Sequence, residues 1–219
     1  MHFAISSCHN CDHGVRWGKI LKVVLYESGT TRSARCRWTL LEAGVTFESI
    51  SKSGLSDGDK LRAFHPLAKL PIAIIDDAPL FESAAICTYI ADQFPDAGLI
   101  ASPGSWARAQ HDQWVSFALT EMEAWLWNTA VNSFVLPPEK RIAVGFAQNE
   151  EMFKRSARAL NTVMSDREYL VNNTFSVTDI IVGWTINWGR RQGLLNGLEG
   201  LQSYLKRLLS RPNCALAKE

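Results

Sequence analysis

The chain has 219 residues, 47% of them hydrophobic and 21% charged, so it is long enough for one large or two modest domains with buried cores. Its 23 Lys and Arg residues nearly balance 22 Asp and Glu residues, and a formal net charge of +1 argues against nucleic-acid or anionic-membrane partners. The sequence contains no apolar run of about 18 residues, so no transmembrane helix is predicted. Its five scattered cysteines are typical of reduced thiols in a cytoplasmic protein.

Residues 1–21 form a leader that shows little periodicity. Cys8 and Cys11, with His9 and His13 nearby, have the spacing of half a zinc site. A structural zinc site needs four ligands, and no second cluster follows. The favoured interpretation is a dispensable leader without metal or a short arm packed on the domain. A metal or redox role is the alternative, and no secretory signal is indicated.

Residues 22–95 predict a first domain of alternating strands and helices. The β-branched and aromatic run Val23–Tyr26 predicts a buried strand, and the segment Ala34–Ala43 predicts a helix that stops at Gly44. The alternating stretch 45–51 predicts a second strand. A strand–helix–strand unit of this kind implies a parallel pair with a right-handed crossover.

The second half of this domain predicts a hairpin and a helix. A polar, turn-rich stretch leads to the end of a short helix at 61–65. Strands are predicted at Leu70–Ile75 and Pro79–Phe81, and the helix Ser83–Phe94 is ended by Pro95. The predicted order is therefore βαβαββα.

Residues 96–104 are rich in Gly, Pro and Ser and predict a linker. Residues 105–219 show helical rather than strand periodicity, and we expect helices at roughly 105–128, 138–166, 176–191 and 198–210. The second domain is therefore predicted to be all-helical. Most of the eight tryptophans lie in it, where core packing or the lining of a groove is their expected use.

Three local patterns carry more specific information. Ala68-Lys69-Leu70-Pro71 precedes the third strand, and Glu82-Ser83 enters a helix whose free N–H groups and dipole favour an anion. For Ser83 the alternative is a simple N-cap. The third pattern, Ser176-x-x-Asp179, is a capping box with a structural role.

The order of elements and these patterns resemble the cytosolic glutathione transferases, from Val23 to about Ala215. The resemblance implies a thioredoxin-like N-terminal domain followed by a helical-bundle domain. It also implies a cytoplasmic, detoxifying enzyme that conjugates the glutathione thiolate to hydrophobic electrophiles. Glutathione would be the co-substrate, no metal would be needed, and the protein would be a homodimer.

The resemblance also implies roles for the patterned residues. In this fold Pro71 follows a cis peptide bond, and the Leu70 backbone pairs with the cysteinyl part of glutathione, with Lys69 beside it. The alternative for Pro71 is a plain proline at the start of a strand. Ser83 would bind the γ-glutamyl carboxylate, and Glu82 the α-amino group.

The family places its activating Tyr, Ser or Cys just after the first strand, and the resemblance puts Thr30 at the serine position. Thr31 and Ser33 are the reserves, with Thr31 expected to cap the first helix. The alternative is that both threonines only cap. A glutathione-dependent disulfide reductase and a non-catalytic glutathione-binding or interaction module remain alternative functions on the same fold.

Overall fold

The computed structural model of the protein describes residues 21–51 and 58–218. Cys8, Cys11 and the hypothesis of a zinc or redox role for the leader lie outside the described residues. So does the stretch 52–57 of the polar segment that follows the second strand. Within the two described ranges, no helix is long and apolar enough to cross a membrane.

The first domain follows the predicted βαβαββα order. Its elements are β1 (Val23–Glu27), α1 (Ser33–Glu42), β2 (Glu48–Ser51), α2 (Gly58–Arg62), β3 (Ile72–Ile75), β4 (Ala78–Phe81) and α3 (Ser83–Gln93). The sheet order is β2-β1-β3-β4, in which β1 pairs parallel with β2 and antiparallel with β3. β3 and β4 form the predicted hairpin. The thioredoxin-like fold is therefore confirmed.

The core of this domain follows from the alternation in β1. Val23 and Leu25 are buried on one face of the sheet, and the apolar sides of α1 and α3 pack against them. β3 begins two residues later than the strand predicted at Leu70. Pro71 lacks the N–H group that a ladder position requires, and this accounts for the later start.

The second domain is helical, as predicted. Its elements are α4 (Trp106–Phe117), a π segment (Ala118–Glu123), α5 (Ala124–Ala130), a second π segment (Val131–Val135), a 3₁₀ turn (Pro138–Lys140), α6 (Phe146–Val163), α7 (Val177–Arg191) and α8 (Glu199–Leu209). The capping box forms at the start of α7, where the Ser176 N–H donates to Asp179 Oδ2 at 2.8 Å.

Two helices of the second domain have a boundary about seven or more residues from the predicted one. The helix expected over 105–128 continues through both π segments to Val135, because no Pro or Gly interrupts it. The helix expected over 138–166 begins only at Phe146. Two adjacent prolines, Pro137 and Pro138, cannot donate backbone hydrogen bonds within a helix, so the chain makes a single 3₁₀ turn there instead.

The two domains share their cores. Trp38 of α1 is fully buried within the helical-domain core, and Val177 and Ile181 of α7 are buried within the core of the first domain. This exchange of apolar side chains fixes α1 against α7. The cleft that holds the candidate site lies beside this contact, at the start of α1.

Candidate functional site

A cavity of about 250 Å³ opens between the domains, and we call it the polar cavity. Its walls are Arg32, His65, Lys69, Leu70, Pro71, Glu82, Ser83, Leu119, Glu123 and Trp127. All five residues predicted to bind substrate therefore line one cavity. The first π segment supplies Leu119 and Glu123 from the opposite domain, and π segments are frequent at functional sites.

The loop before β3 forms one wall of the polar cavity. The Leu70–Pro71 peptide bond is cis, as the family resemblance implies. Lys69 lies beside it with Nζ 5.2 Å from the Trp127 ring centroid, a cation–π contact that reaches across the cleft. His65 is buried behind the loop, and its Nδ1 accepts a hydrogen bond from the Leu67 N–H at 2.9 Å.

The start of α3 forms the facing wall. Ser83 is the first residue of α3 and is 3% exposed, and its Oγ accepts a hydrogen bond from Arg35 Nη1 at 3.2 Å. The alternative that Ser83 is only an N-cap is wrong, because Glu82 occupies the cap position. Because Oγ accepts from Arg35, its own proton is available to a ligand carboxylate. Glu82 is exposed and held at φ 69°, a conformation that is unusual for a residue other than glycine.

A buried charged cluster underlies the polar cavity. Glu123 is 3% exposed and accepts hydrogen bonds from Arg32 Nε at 2.5 Å and from Arg35 Nη2 at 2.5 Å. Arg35 is fully buried and also donates to Thr185 Oγ1 at 2.7 Å and to the Ile181 carbonyl at 3.0 Å. Burial acts to raise the pKa of Glu123, but the charges of Arg35 and Arg32 outweigh it and lower that pKa. The carboxylate therefore stays ionised.

A second cavity of about 250 Å³ adjoins the first, and we call it the aromatic cavity. It is lined by Thr30, Thr31, Arg32, Trp127, Phe134, Trp184, Asn187, Trp188 and Arg191. Trp184 and Trp188 meet edge to face with centroids 5.3 Å apart. Arg32 and Trp127 line both cavities, so the two spaces meet at these side chains.

The three candidate hydroxyls have different surroundings. Ser33 is fully buried, and its Oγ accepts from the Ser28 N–H at 3.2 Å. The Thr31 hydroxyl donates to the Ser28 carbonyl at 2.7 Å and lies 3.1 Å from Ser33 Oγ. Arg32 is the residue before α1 and makes no side-chain cap, whereas Thr31 Oγ1 accepts a hydrogen bond from the Ser33 N–H at 3.4 Å. The expectation that Thr31 caps α1 therefore stays a prediction.

Thr30 is exposed in the aromatic cavity. Its carbonyl accepts a hydrogen bond from Trp184 Nε1 at 3.1 Å, which fixes the loop against α7. Within residues 21–51 and 58–218, no group forms a hydrogen bond with the Thr30 hydroxyl. Of the three candidates, Thr30 therefore has the hydroxyl most available to a bound molecule, and its role stays a prediction.

The domains are joined by four residues that the sequence did not predict, namely Arg32, Arg35, Glu123 and Trp127. Two cations at the start of a helix and one acid in an apolar stretch have no sequence spacing that reveals their contact, since Arg35 and Glu123 are 88 positions apart. The signal that was present is Glu123 itself. It interrupts the apolar pattern of the helix after the linker, where a charge is costly unless it is paired.

Comparisons with known proteins agree with this architecture. Residues 21–92 match the family model described as Glutathione S-transferase, N-terminal domain. Glutathione S-transferase GstA of Escherichia coli O157:H7 is 27% identical over 180 residues, which cover 80% of this chain and 86% of that protein. Elongation factor 1-gamma 2 of Oryza sativa subsp. japonica is 27% identical over 187 residues, which cover 78% of this chain but 42% of that protein.

The fold also matches solved structures over nearly the whole chain. A sphingomonad glutathione S-transferase complexed with glutathione superposes with a TM-score of 0.77 and 26% identity, covering 88% of this chain and 96% of that chain. The family model spans the strands and helices that build the polar cavity, and the structural match extends through the helical domain. Residues 21–92 belong to the glutathione S-transferase N-terminal domain family, and the matches over most of the chain support the cytosolic glutathione transferase superfamily.

Proposed function

We propose that the polar cavity binds glutathione and that the chain transfers its thiolate to hydrophobic, aromatic electrophiles held in the aromatic cavity. The observation that carries this proposal is the shared wall. A thiol bound in the polar cavity and an apolar molecule bound among the tryptophans would meet at Arg32 and Trp127. Holding two reactants at such a junction supplies much of the rate of a bimolecular reaction.

The walls of the polar cavity suit the charges of glutathione. Ser83 Oγ and the free N–H groups at the start of α3 would receive the γ-glutamyl carboxylate. Glu82 would receive the α-amino group, and the Leu70 backbone would pair with the cysteinyl unit as an added strand does. Lys69 also lines the polar cavity and supplies a positive charge there.

The chemistry needs the thiolate, and a free thiol with a pKa near 8.5 is mostly protonated at neutral pH. A hydrogen bond from the Thr30 hydroxyl to the sulfur favours the deprotonated form, and the thiol proton leaves to solvent water. The thiolate then forms a carbon–sulfur bond with the electrophile. Either a leaving group departs with the bonding electron pair, or the adduct takes up a proton from water.

Ser83→Ala tests the glutathione assignment. Loss of the hydroxyl contact to a carboxylate should weaken glutathione binding by about 1.5–3 kcal/mol in calorimetry. Ser105→Ala is the matched control, because Ser105 caps α4 by accepting from the Arg108 N–H at 3.2 Å and does not line the polar cavity. The control should lose about 1 kcal/mol of stability and keep its glutathione affinity. Equal affinities in the parent and Ser83→Ala would refute the assignment.

A non-catalytic binding module is the second candidate. The similarity to elongation factor 1-gamma 2 favours it, since that protein is not named a transferase. Conjugation of chlorodinitrobenzene would support the transferase, and reduction of hydroxyethyl disulfide would support the disulfide reductase. Glutathione binding with neither activity would support the module.

We also propose a homodimer acting in detoxification in the cytoplasm, where thiols are kept reduced. An open groove between α3 and α4 leaves Tyr89 38% exposed, and Val115 lines the same groove. A twofold axis at this groove would cover both side chains. Sedimentation at micromolar concentration should give twice the chain mass of 24.5 kDa, and a monomer would contradict the proposal.

A further inference from the structure

Arg32 occupies the junction of the two cavities. We propose that its guanidinium group contacts the sulfur of bound glutathione and holds it as the thiolate, which makes Arg32 a catalytic residue. This inference rests on the proposed function, because it requires glutathione in the polar cavity. Arg32 would supply a fixed positive charge beside the sulfur, in addition to the hydrogen bond from the Thr30 hydroxyl.

The geometry leaves part of Arg32 available to a ligand. Its side chain is 28% exposed and is tied to Glu123 through Nε alone. Among the described residues, no group forms a hydrogen bond with its two Nη atoms. Three indole rings orient the guanidinium, with ring centroids 4.8 Å away for Trp127 and 5.6 Å away for Trp184 and Trp188. The planar group is therefore fixed while its outer donors stay unpaired.

The charge balance of the cluster points the same way. One carboxylate, Glu123, serves two guanidinium groups, because Arg32 and Arg35 both donate to it. The group of three carries a net charge of +1 and is largely removed from solvent. An uncompensated charge in such a place is costly, and an anion at the free side of Arg32 would balance it. A thiolate at the shared wall is such an anion.

Other charged groups face the cavities, and they are less able to act on the sulfur. Lys69, Glu82 and Arg191 are exposed to solvent, which screens their charges. Arg35 is buried beneath the polar cavity, and it already donates hydrogen bonds to Glu123, Ser83, Thr185 and the Ile181 carbonyl. His65 already accepts the Leu67 N–H through Nδ1. Arg32 is therefore the cation best placed to meet a thiolate beside the tryptophans.

The role that follows is electrostatic. The thiol proton leaves to solvent water, no bond forms between sulfur and protein, and the negative charge that remains is stabilised by Arg32. The surrounding rings exclude water and strengthen this attraction. An opposite charge within about 4–6 Å commonly lowers a pKa by about 1–3 units, which is enough to make the thiolate abundant near neutral pH.

The test is a pH titration of the thiolate absorbance of glutathione bound to the full chain. Arg32→Gln should raise the thiol pKa by about one unit or more, because a cation is lost. Glu123→Gln should lower it, because the positive charge of Arg32 is then less neutralised. A purely structural role would loosen the site in both variants, so the thiol pKa would rise in both. Arg191→Gln removes an equal charge from the aromatic cavity alone and should match the parent.

The outcomes separate this inference from the proposed function. If the parent binds glutathione with a lowered thiol pKa and Arg32→Gln titrates like the parent, the role of Arg32 is refuted. If Arg32→Gln folds poorly, two other variants decide the question. Arg32→Lys keeps the positive charge and should keep the lowered thiol pKa, and Glu123→Gln should lower that pKa further. A thiol pKa that rises in both variants would refute the role of Arg32. A parent that binds no glutathione refutes the proposed function itself.

Discussion

Glu123 and Asp179 are both buried carboxylates, but their surroundings differ in charge. Glu123 lies between two guanidinium groups at the wall of the polar cavity. Asp179 is fully buried in the helical domain and accepts hydrogen bonds from the Leu170 N–H at 3.0 Å and the Tyr204 hydroxyl at 2.7 Å, as well as from Ser176. Within the described residues, no cation pairs with Asp179.

This difference gives the two groups opposite titration behaviour. Cationic partners lower the pKa of Glu123 despite its burial, whereas burial raises the pKa of Asp179 to about 6 against its hydrogen bonds. One carboxylate joins the domains beside the cavities, and the other fixes the start of α7. A buried acid is therefore a sign of function here only in combination with its partners and the cavity it faces.

The largest effect is expected from Glu123→Ala. This change leaves Arg35 buried without its carboxylate, and removing one partner of a buried ion pair commonly costs about 3–5 kcal/mol. Urea unfolding followed by tryptophan fluorescence would measure the loss. The exposed Glu151, which pairs with Arg158 at the surface, is the control, and Glu151→Ala should keep the parent's unfolding midpoint. Equal midpoints for Glu123→Ala and the parent would show that the cluster does not hold the domains together.

The second prediction concerns pH and Asp179. Because its pKa is raised in the folded state, the folded protein binds a proton that the unfolded chain releases between pH 4 and 6. Its contribution to stability is full below about pH 4 and is lost as pH rises through about 6, by about 3 kcal/mol at most. Asp179→Asn should therefore destabilise the protein more at pH 4 than at pH 7. A constant difference between parent and variant would contradict the raised pKa.

His111 should act in the opposite direction over a similar range. It is 2% exposed, its ring nitrogens lie 3.1 Å from Thr88 Oγ1 and 2.9 Å from Thr178 Oγ1, and burial lowers its pKa to about 4. Below pH 6.5 His111 binds a proton in the unfolded chain but not in the folded protein. The free energy of unfolding therefore falls toward pH 4, by up to about 3 kcal/mol.

The His111→Gln variant should not show that fall. Its stability relative to the parent should improve as pH decreases from 7 to 4.5, as measured by urea unfolding at each pH. A parallel pair of curves would mean that the pKa of His111 is not lowered in the folded protein. Together with Asp179→Asn, this variant separates two effects that oppose each other in the parent.

The smallest effect is expected from Ser176→Ala at the cap of α7. The change removes the serine hydroxyl from the Asp179 carboxylate but keeps the backbone N–H that binds it. We expect a loss of about 1 kcal/mol of stability and no change in glutathione affinity. A variant that weakens binding would show that the start of α7 is coupled to the site.

The features that the sequence predicted and those that it missed differ in how far apart the interacting residues lie along the chain. The order of strands and helices along the chain and the capping box at Ser176 depend on neighbouring residues, and the sequence predicted both. The family resemblance implied the cis bond before Pro71. The ion pairs of Glu123 and the tryptophan lining near Thr30 join positions about 90 to 150 residues apart. Those contacts arise from the packing of α1 against α7 and the π segment, which local patterns do not encode.

A crystal structure with S-hexylglutathione, a product analogue that carries peptide and apolar group in one molecule, would test the joined site most directly. We predict that its γ-glutamyl carboxylate lies at Ser83 and its sulfur beside Arg32. The hexyl chain should lie between Trp127 and Trp188 in the aromatic cavity. A peptide bound outside the polar cavity, or a hexyl chain directed away from the tryptophans, would contradict the account.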